Sequence, residues 1–572
     1  MRRKHQAEFE NIIDQIIRHG AGGQTVLLKV TPGGGKSAIP IIAGKLIREK
    51  LAQRLCWVAP RKALQSQGER NFLDPFFREL FDHDLTIRAS TNETNPARNL
   101  DGFITTYQAI SQDKDRLLEF EFFRYKYILI LDEVHHVEDL GVWHEALKPL
   151  VELCEFIILM TGTIERGDGS KIAFLNYDGD VPDLQSKKNY HVIEYTRADA
   201  LAEKAIIPLS FKFHDGQAVW ENEIGDEVKV KSLAKARRQD IAAAIYTAIS
   251  TQYARQLLSI AVDHWIGIKK KNPRSKLLIV TANLNHAKIA FNFLYEKKFS
   301  VNIATSHESA QAQAAIDAFK KDEIDILVTI AMAYEGLDVP AITHIVCLTH
   351  IRSRPWLEQM LARANRIDRL AGPYSRQRAF VFSPDDPLFR EVVEKIRSEQ
   401  LPFVNSGEQM ELFKTEQELE KDYQCGDCVG FEACVLNDNK NYLDEICDRF
   451  EKSIKPPMKI KPKSSAVTDQ RDLVLAAPGA AAPEIIQTPK EREKELRAKI
   501  ERHVRAFSHI NRYENGKVNG ELFKYFQKPR GEMTIPELEN VLKFIELKYP
   551  VNLIERGRGK RVSSRVVPWG GS

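Results

Sequence analysis

QTVLLKVTPGGGKSAIPIIAGKLIREKL, residues 24–51, joins three patterns in one stretch. QTVLLKV is a short, nearly continuous apolar run of the kind a buried strand carries, and SAIPIIAGKLIREKL spaces its apolar residues as a helix does. Between them lies VTPGGGKS, Val30 to Ser37. Strand, glycine loop and helix in that order turn backbone N–H groups and a helix start toward one anion, so the loop reads as a phosphate cradle. In that reading Gly33, Gly34 and Gly35 let the backbone close on phosphates, Lys36 reaches the β- and γ-phosphates, and the Ser37 hydroxyl sits on Mg²⁺. The first glycine of G-x-x-x-x-G-K-[ST] is absent, and Val30 stands in its place.

Outward from that stretch, short apolar runs alternate with helical patterns from Thr25 to about Ser383. The runs are TVLLKV, LCWVAP, GFITTY, YILILDE and FIILMTGT, then KLLIVTA, VNIATS, DILVTIAM, HIVCLTH and RAFVFS. Continuous rather than alternating hydrophobicity implies strands covered on both faces, as in parallel sheets. The two sets are separated by a polar and helical stretch over 195–275. The predicted fold class is therefore α/β, with two tandem doubly wound domains at 1–200 and 201–400. Past Asp386 the strand signal ends: 401–455 is a small segment with four cysteines, 456–487 a Pro/Ala-rich linker, and 488–572 a mainly α region with a basic tail. There TPKE places a Thr488 cap, a first-turn proline and Glu491 before Leu496, Ile500, Val504, Phe507 and Ile510, predicting one helix. A second capping box, Thr534 to Glu537, predicts another through about Lys548.

The bulk numbers agree with a soluble multidomain protein. A chain of 572 residues suggests three or four domains, taking roughly 150 residues each. Hydrophobic content of 43% and charged content of 28% are ordinary, and no apolar run is long enough to span a membrane. The start, MRRKHQAEFENII, lacks the apolar core of a secretory signal, so the expected location is the cytoplasm, with no membrane partner. A net charge of +4 gives a weak overall field, so any nucleic-acid contact has to come from a local basic groove. The tail from Arg556 to Arg565 reads equally as an added phosphate attractor and as a solubilising end.

YILILDEVHH places Asp132 and Glu133 at the C-terminal end of a buried strand, where open α/β sheets put their ligand sites. Two carboxylates there are costly unless they serve a cation or a proton. Beside a Lys-Ser loop, Asp132 can hold Mg²⁺ through water while Glu133 accepts a proton from an attacking water. Farther along, Arg363 and Arg366 lie one helical turn apart and share a face, from which they can act on developing γ-phosphate charge; the alternative is a solvated basic face. His135, His136, His144 and Glu138 are spaced too irregularly to favour a metal site.

Val30-x-x-Gly33-x-Gly35-Lys36-Ser37 followed by Asp132-Glu133-Val134-His135 resembles motifs I and II of the superfamily 2 DExH helicases and translocases, where a small apolar residue commonly replaces the first loop glycine. APRKALQSQ, Ala59 to Gln67, resembles motif Ia, and TTYQAI, Thr105 to Ile110, the next strand-end motif; the resemblance implies that both touch a nucleic-acid backbone. TGT, Thr161 to Thr163, matches motif III, MAYEGLDVP, Met332 to Pro340, resembles motif V, and QMLARANR, Gln359 to Arg366, resembles motif VI with Ala362 in place of glycine. The likeness covers roughly residues 1–400 and looks closest to type III restriction-enzyme helicase subunits. It implies RecA-like domains, ATP bound by Gly33–Ser37, Gly336 and Asp338, an adenine-reading Gln6, an arginine finger at Arg366, and His135 hydrogen-bonding across the site to motif III. It further implies a DNA helicase or translocase; an RNA helicase and a nucleotide-dependent remodelling switch are the alternatives. No carboxylate-Lys nuclease constellation is evident in 401–572, so a nuclease or a defence or repair partner would be a separate protein.

Cys425, Cys428, Cys434 and Cys447, spaced C-x₂-C-x₅-C-x₁₂-C, could hold Zn²⁺ or an iron–sulfur cluster, with buried free thiols as the alternative. Cys56, Cys154 and Cys347 are expected in strands of the core.

Overall fold

The computed structural model describes residues 2–19, 24–90, 93–166, 169–222, 226–305, 310–330, 337–404, 431–434, 487–513 and 516–551. Seven parallel strands form the first sheet: β1 (Gln24–Val30), β2 (Arg54–Ala59), β3 (Ile87–Ala89), β4 (Gly102–Thr106), β5 (Tyr127–Asp132), β6 (Phe156–Thr161) and β7 (Tyr190–Tyr195), in the order β3-β4-β2-β5-β6-β1-β7. Strands β2, β4 and β5 are buried at every position, because helices cover both faces. Successive residues feed opposite cores: Leu28, Ile128 and Ile130 pack into one, Leu27, Leu129 and Leu131 into the other. The register sets Leu28 beside Met160 and Met160 beside Asp132, so the glycine loop, the carboxylate pair and TGT emerge at one edge.

A second sheet is also wholly parallel. It contains β8 (Leu209–His214), β11 (Lys276–Thr281), β12 (Val301–Ala304), β13 (Ile326–Ile330), β14 (Ile342–Leu348) and β15 (Ala379–Pro384), ordered β8-β15-β14-β11-β13-β12. Between them in the chain, β9 (Gly216–Glu221) and β10 (Glu227–Val230) pair antiparallel, and β16 (Phe431–Cys434) joins β9 in parallel. The mixed α/β architecture with two doubly wound parallel sheets and a helical C-terminal region is as expected from the sequence. The stretch 195–275 is not only helical: β8, β9 and β10 lie inside it. LSFKFH alternates apolar and polar residues, the pattern of a half-covered edge strand, and lacks the continuous hydrophobicity of the central ones. YHVIEY, at the β7 edge, also mixes polar residues, His191 and Glu194, into its apolar ones. A four-residue strand such as β16 is too short for periodicity to declare.

Cys56 and Cys347 are buried in strands, whereas Cys154 is half-buried at the end of the helix Val142–Leu153, just ahead of β6. Cys434 ends β16. Cys425, Cys428, Cys447, Gly336 and the basic tail lie outside the described residues, and among the described residues no cluster of His, Cys, Asp or Glu is placed to hold a metal ion.

The C-terminal region forms three helices, Pro489–Ile510, Lys517–Phe526 and Ile535–Lys548, around Leu496, Ile500, Leu538, Val541 and Ile545. Both capping boxes form, at Thr488 with Glu491 and at Thr534 with Glu537. These helices are fastened to the β3 edge of the first sheet by a buried acid among arginines. Arg88, with no exposed side-chain surface, donates Nε to Glu493 Oε1 at 3.0 Å and Nη2 to Oε2 at 3.1 Å. Arg98 Nη1 reaches the same Oε2 at 2.7 Å and the Met533 carbonyl at 3.1 Å. Glu69, on the helix Lys62–Leu73, accepts from the backbone N–H of Ala89 and of Lys490. Removing one partner of such a buried set leaves the others uncompensated, at a cost of roughly 3 kcal/mol. Glu493→Gln should therefore speed amide hydrogen exchange in residues 489–510 on the order of 10²-fold, with the first sheet unaffected.

Candidate nucleotide site and its interdomain contacts

The loop is shaped by two left-handed glycines, Gly33 at φ +82° and Gly35 at φ +90°. At Gly34 a Cβ would stand 2.7 Å from the Thr31 carbonyl oxygen, so the tip closes too tightly for a side chain. The expected helix begins as a tight turn over Lys36–Ala38 before Ile39–Ala43. Pro40 has no N–H to return to the Lys36 carbonyl, and the Ile39 N–H closes the turn on it instead.

Glu133 follows β5 with φ +50°, a left-handed conformation that costs a non-glycine residue about 1 kcal/mol or more. This turn parts the two carboxylates. Asp132 stays buried, with Oδ1 lacking a hydrogen-bond partner among the described residues. Glu133 bonds to Lys36 Nζ and accepts the Gly162 N–H at 3.2 Å. Burial, reinforced by the Glu133 charge, pushes the Asp132 carboxyl well above the usual carboxylate range. Burial alone would raise Glu133 too, but Lys36 and the neighbouring His135 outweigh it and hold that carboxyl below the usual range. At neutral pH the anion facing Lys36 is thus Glu133.

His135 links three motifs. Its Nδ1 lies 3.0 Å from the Thr161 hydroxyl and its Nε2 lies 3.3 Å from Gln359 Nε2 on the second domain. Burial pushes the imidazole down to about 3 against the pull of Glu133, so it is neutral and can accept from Gln359. The strand-end residue Tyr107 donates to the Asp132 carbonyl at 2.8 Å, joining TTYQAI to the same edge.

From the second domain, Arg366 pairs with Asp338, and Asp338 Oδ2 also accepts from Gln67 of APRKALQSQ at 3.5 Å. Burial opposes the Asp338 charge, yet Arg366 and Arg363 hold its carboxyl below the usual range. Arg363 donates to the Leu337 carbonyl at 3.3 Å. The sequence pattern placed Arg366 facing a γ-phosphate; the structure places it on Asp338, with Arg3 of the N-terminus near enough to feel its charge.

Gln6 is buried and uses both ends of its carboxamide. Its Oε1 accepts the Arg3 N–H at 3.0 Å and its Nε2 donates to the Gly35 carbonyl at 3.2 Å, so it braces the loop. Two residues escaped the sequence reading. Arg3 lies over the loop, donating to the Gly33 carbonyl at 3.3 Å; burial lowers its pKa, with Tyr195 and Glu203 opposing and Arg369 and Arg366 adding. Asn365 is fully buried against Gly33, where an added Cβ would stand 3.0 Å from its Oδ1. Neither end of its carboxamide has a hydrogen-bond partner among the described residues, a cost of about 1–3 kcal/mol for each unmet group. The one signal for Arg3 was its place three residues before Gln6; no local signal marks Asn365.

A family model described as type III restriction enzyme, res subunit, matches residues 1–166, and one for the helicase conserved C-terminal domain matches residues 255–368. Over these two stretches the chain is similar to helicase-type domains. The loop, the carboxylate pair and TGT fall within the first match, and Gln359, Arg363 and Arg366 within the second. Curated relatives include an uncharacterized protein of Mycobacterium leprae, 22% identical over 65% of this chain and 61% of its own length. Another, from Mycobacterium tuberculosis, is 23% identical over 64% and 59%. The chain thus spans about three fifths of the length of the curated relatives it matches. Similar solved structures include a fragment of a putative HsdR subunit of a type I restriction enzyme from Vibrio vulnificus, at 16% identity and TM-score 0.43, covering 68% of this chain and 65% of that one. The Mycobacterium smegmatis helicase Lhr bound to ssDNA and AMP-PNP gives 14% and 0.44, over 70% and 48%. Among the described residues, no helix is long and apolar enough to cross a membrane.

Proposed function

We propose that the chain is an ATP- and Mg²⁺-dependent motor that moves on DNA, with nucleotide hydrolysed between RecA-like domains at 1–200 and 201–400 and a helical accessory domain at 488–572. One observation carries the reading: His135, two residues from the anion that pairs with Lys36, is hydrogen-bonded to Gln359 of the arginine-bearing segment opposite. A change at the hydrolytic carboxylate is thereby felt by the second domain, which is what a motor needs. Ser37 and Asp132 offer a hydroxyl and a buried carboxylate, oxygen donors suited to Mg²⁺ with water and phosphate, and the partnerless Asp132 Oδ1 fits that use. Bound there with ATP, Mg²⁺ would supply positive charge to the phosphate oxygens. Lys36 binds the phosphates, Glu133 takes the proton of the attacking water, and Arg366 with Arg363 offsets charge on the transferring group. Gln67, bonded to Asp338, joins the motif that would hold the polymer backbone to the one that would hold Arg366.

The test is ATP hydrolysis by the full chain with single-stranded DNA, duplex DNA, RNA or no polymer. Stimulation by DNA is expected, and the apparent affinity for it should fall by about 10-fold or more between roughly 50 and 200 mM salt, because bound phosphates release counterions. Stimulation by RNA alone would make the track RNA, and no stimulation by any polymer would favour a nucleotide-dependent remodelling switch. In this reading a nuclease, if one acts alongside, belongs to a partner protein.

A further inference from the structure

We propose that Asn365 is a nucleotide-contacting residue: its carboxamide, delivered by the second domain to the tip of the glycine loop, donates Nδ2 to an oxygen of the terminal phosphate of bound ATP. The inference rests on the assignment of the loop as the ATP site. Asn365 has no exposed surface, and among the described residues neither its Nδ2 nor its Oδ1 has a hydrogen-bond partner. A fully buried amide left in that condition is unfavourable, and it is retained most readily where a ligand completes it.

Its position says which ligand. The side chain lies against Gly33, whose φ of +82° and missing Cβ let the second domain approach the loop this closely; Ile206 of the interdomain connection packs on the same glycine. The main chain is pinned there as well, since the Ile207 N–H donates to the Asn365 carbonyl at 2.8 Å. Asn365 directly precedes Arg366 in one short segment, and Arg366 is near enough to Arg3, which donates to the Gly33 carbonyl, to lower its pKa. Opposite that segment stands the end of the site that holds Glu133, tied to it through His135 and Gln359. Glu133 serves the attacking water, so the phosphate on this side is the one attacked, and ADP lacks it. An amide suits the place because it can donate to a phosphate oxygen without adding a further cation to Arg3, Arg363 and Arg366. ATP, and not ADP, would then bind the loop to the second domain at this point.

The test is equilibrium binding of ATP and of ADP, each with Mg²⁺, to the full chain and to Asn365→Ala, Asn365→Asp and Lys36→Ala. Asn365→Ala removes the carboxamide without adding volume and should weaken ATP by roughly tenfold, with ADP changed less than threefold. Asn365→Asp keeps the shape, puts a carboxylate against phosphate, and should weaken ATP further; if it fails to fold, the alanine variant decides alone. Equal losses for ATP and ADP, or no loss for either, would mean that Asn365 only packs on Gly33 and would overturn the inference. Unchanged ATP binding by Lys36→Ala would instead overturn the assignment of the loop.

Discussion

Replacing Arg366 by alanine should leave ATP affinity within a few fold of the parent and lower the turnover number by about 10³-fold, the scale of an arginine finger. The separation follows from where the guanidinium is held. Arg366 is paired with Asp338, whose carboxyl is kept ionised by Arg366 and Arg363 against the effect of burial. That pairing holds the cation within its own domain, so ground-state nucleotide binding should depend on it little. Charge that builds on the transferring phosphoryl group competes with Asp338 for the arginine, and an interaction stronger in the transition state than in the ground state raises kcat. Asp338 also accepts from Gln67, which belongs to the segment expected on the polymer backbone. Release of Arg366 from Asp338 therefore offers a route by which a bound strand could set the hydrolysis rate. Steady-state turnover and equilibrium ATP binding, measured with and without DNA, check the claim; a fall in binding with turnover unchanged would make Arg366 a docking residue.

What could be read from the sequence was chemistry confined to short strings. VTPGGGKS and YILILDEVHH each contain a buried strand and the polar residues at its end, so residue type and position arrive together, and QMLARANR carries its arginines at helical spacing. The helical caps at Thr488 and Thr534 were legible for the same reason. Edge strands were harder, because Leu209–His214 and Tyr190–Tyr195 have one open side and carry polar residues among their apolar ones. Contacts between distant segments left no trace in any window. Glu493 lies 405 residues from Arg88 and looks, in its own helix, like one more solvated acid among KEREKELRAK. Asn365 looks like filler between two motif arginines until Gly33 is seen against it. Gln6 also braces the loop through Gly35, a contact that only the packing of the N-terminal helix on β7 and the loop displays.

Glu133→Gln and Lys36→Ala should both abolish hydrolysis, by different routes that binding separates. The Glu133 carboxylate is held below its ordinary range by Lys36 and His135, so at neutral pH it is an anion able to take a proton as the attacking water loses one. The amide that Glu133→Gln introduces would keep the volume and the contact with the Gly162 N–H but accept no proton, and loss of a general base of this kind costs about 10³-fold in turnover. Removing that negative charge also frees Lys36 from its ion pair and leaves it wholly to the phosphates, so ATP affinity should hold or rise, and the bound state should accumulate. Lys36→Ala acts in the opposite sense. It deletes the cation nearest the phosphates and leaves the Glu133 anion facing them, and both changes weaken ATP. Equilibrium ATP binding should therefore fall in Lys36→Ala and hold or rise in Glu133→Gln, while turnover falls in both. Near-normal turnover by either variant would remove that residue from the site, and parallel losses of binding would assign Glu133 to holding the loop through Lys36 and Gly162 in place of proton transfer.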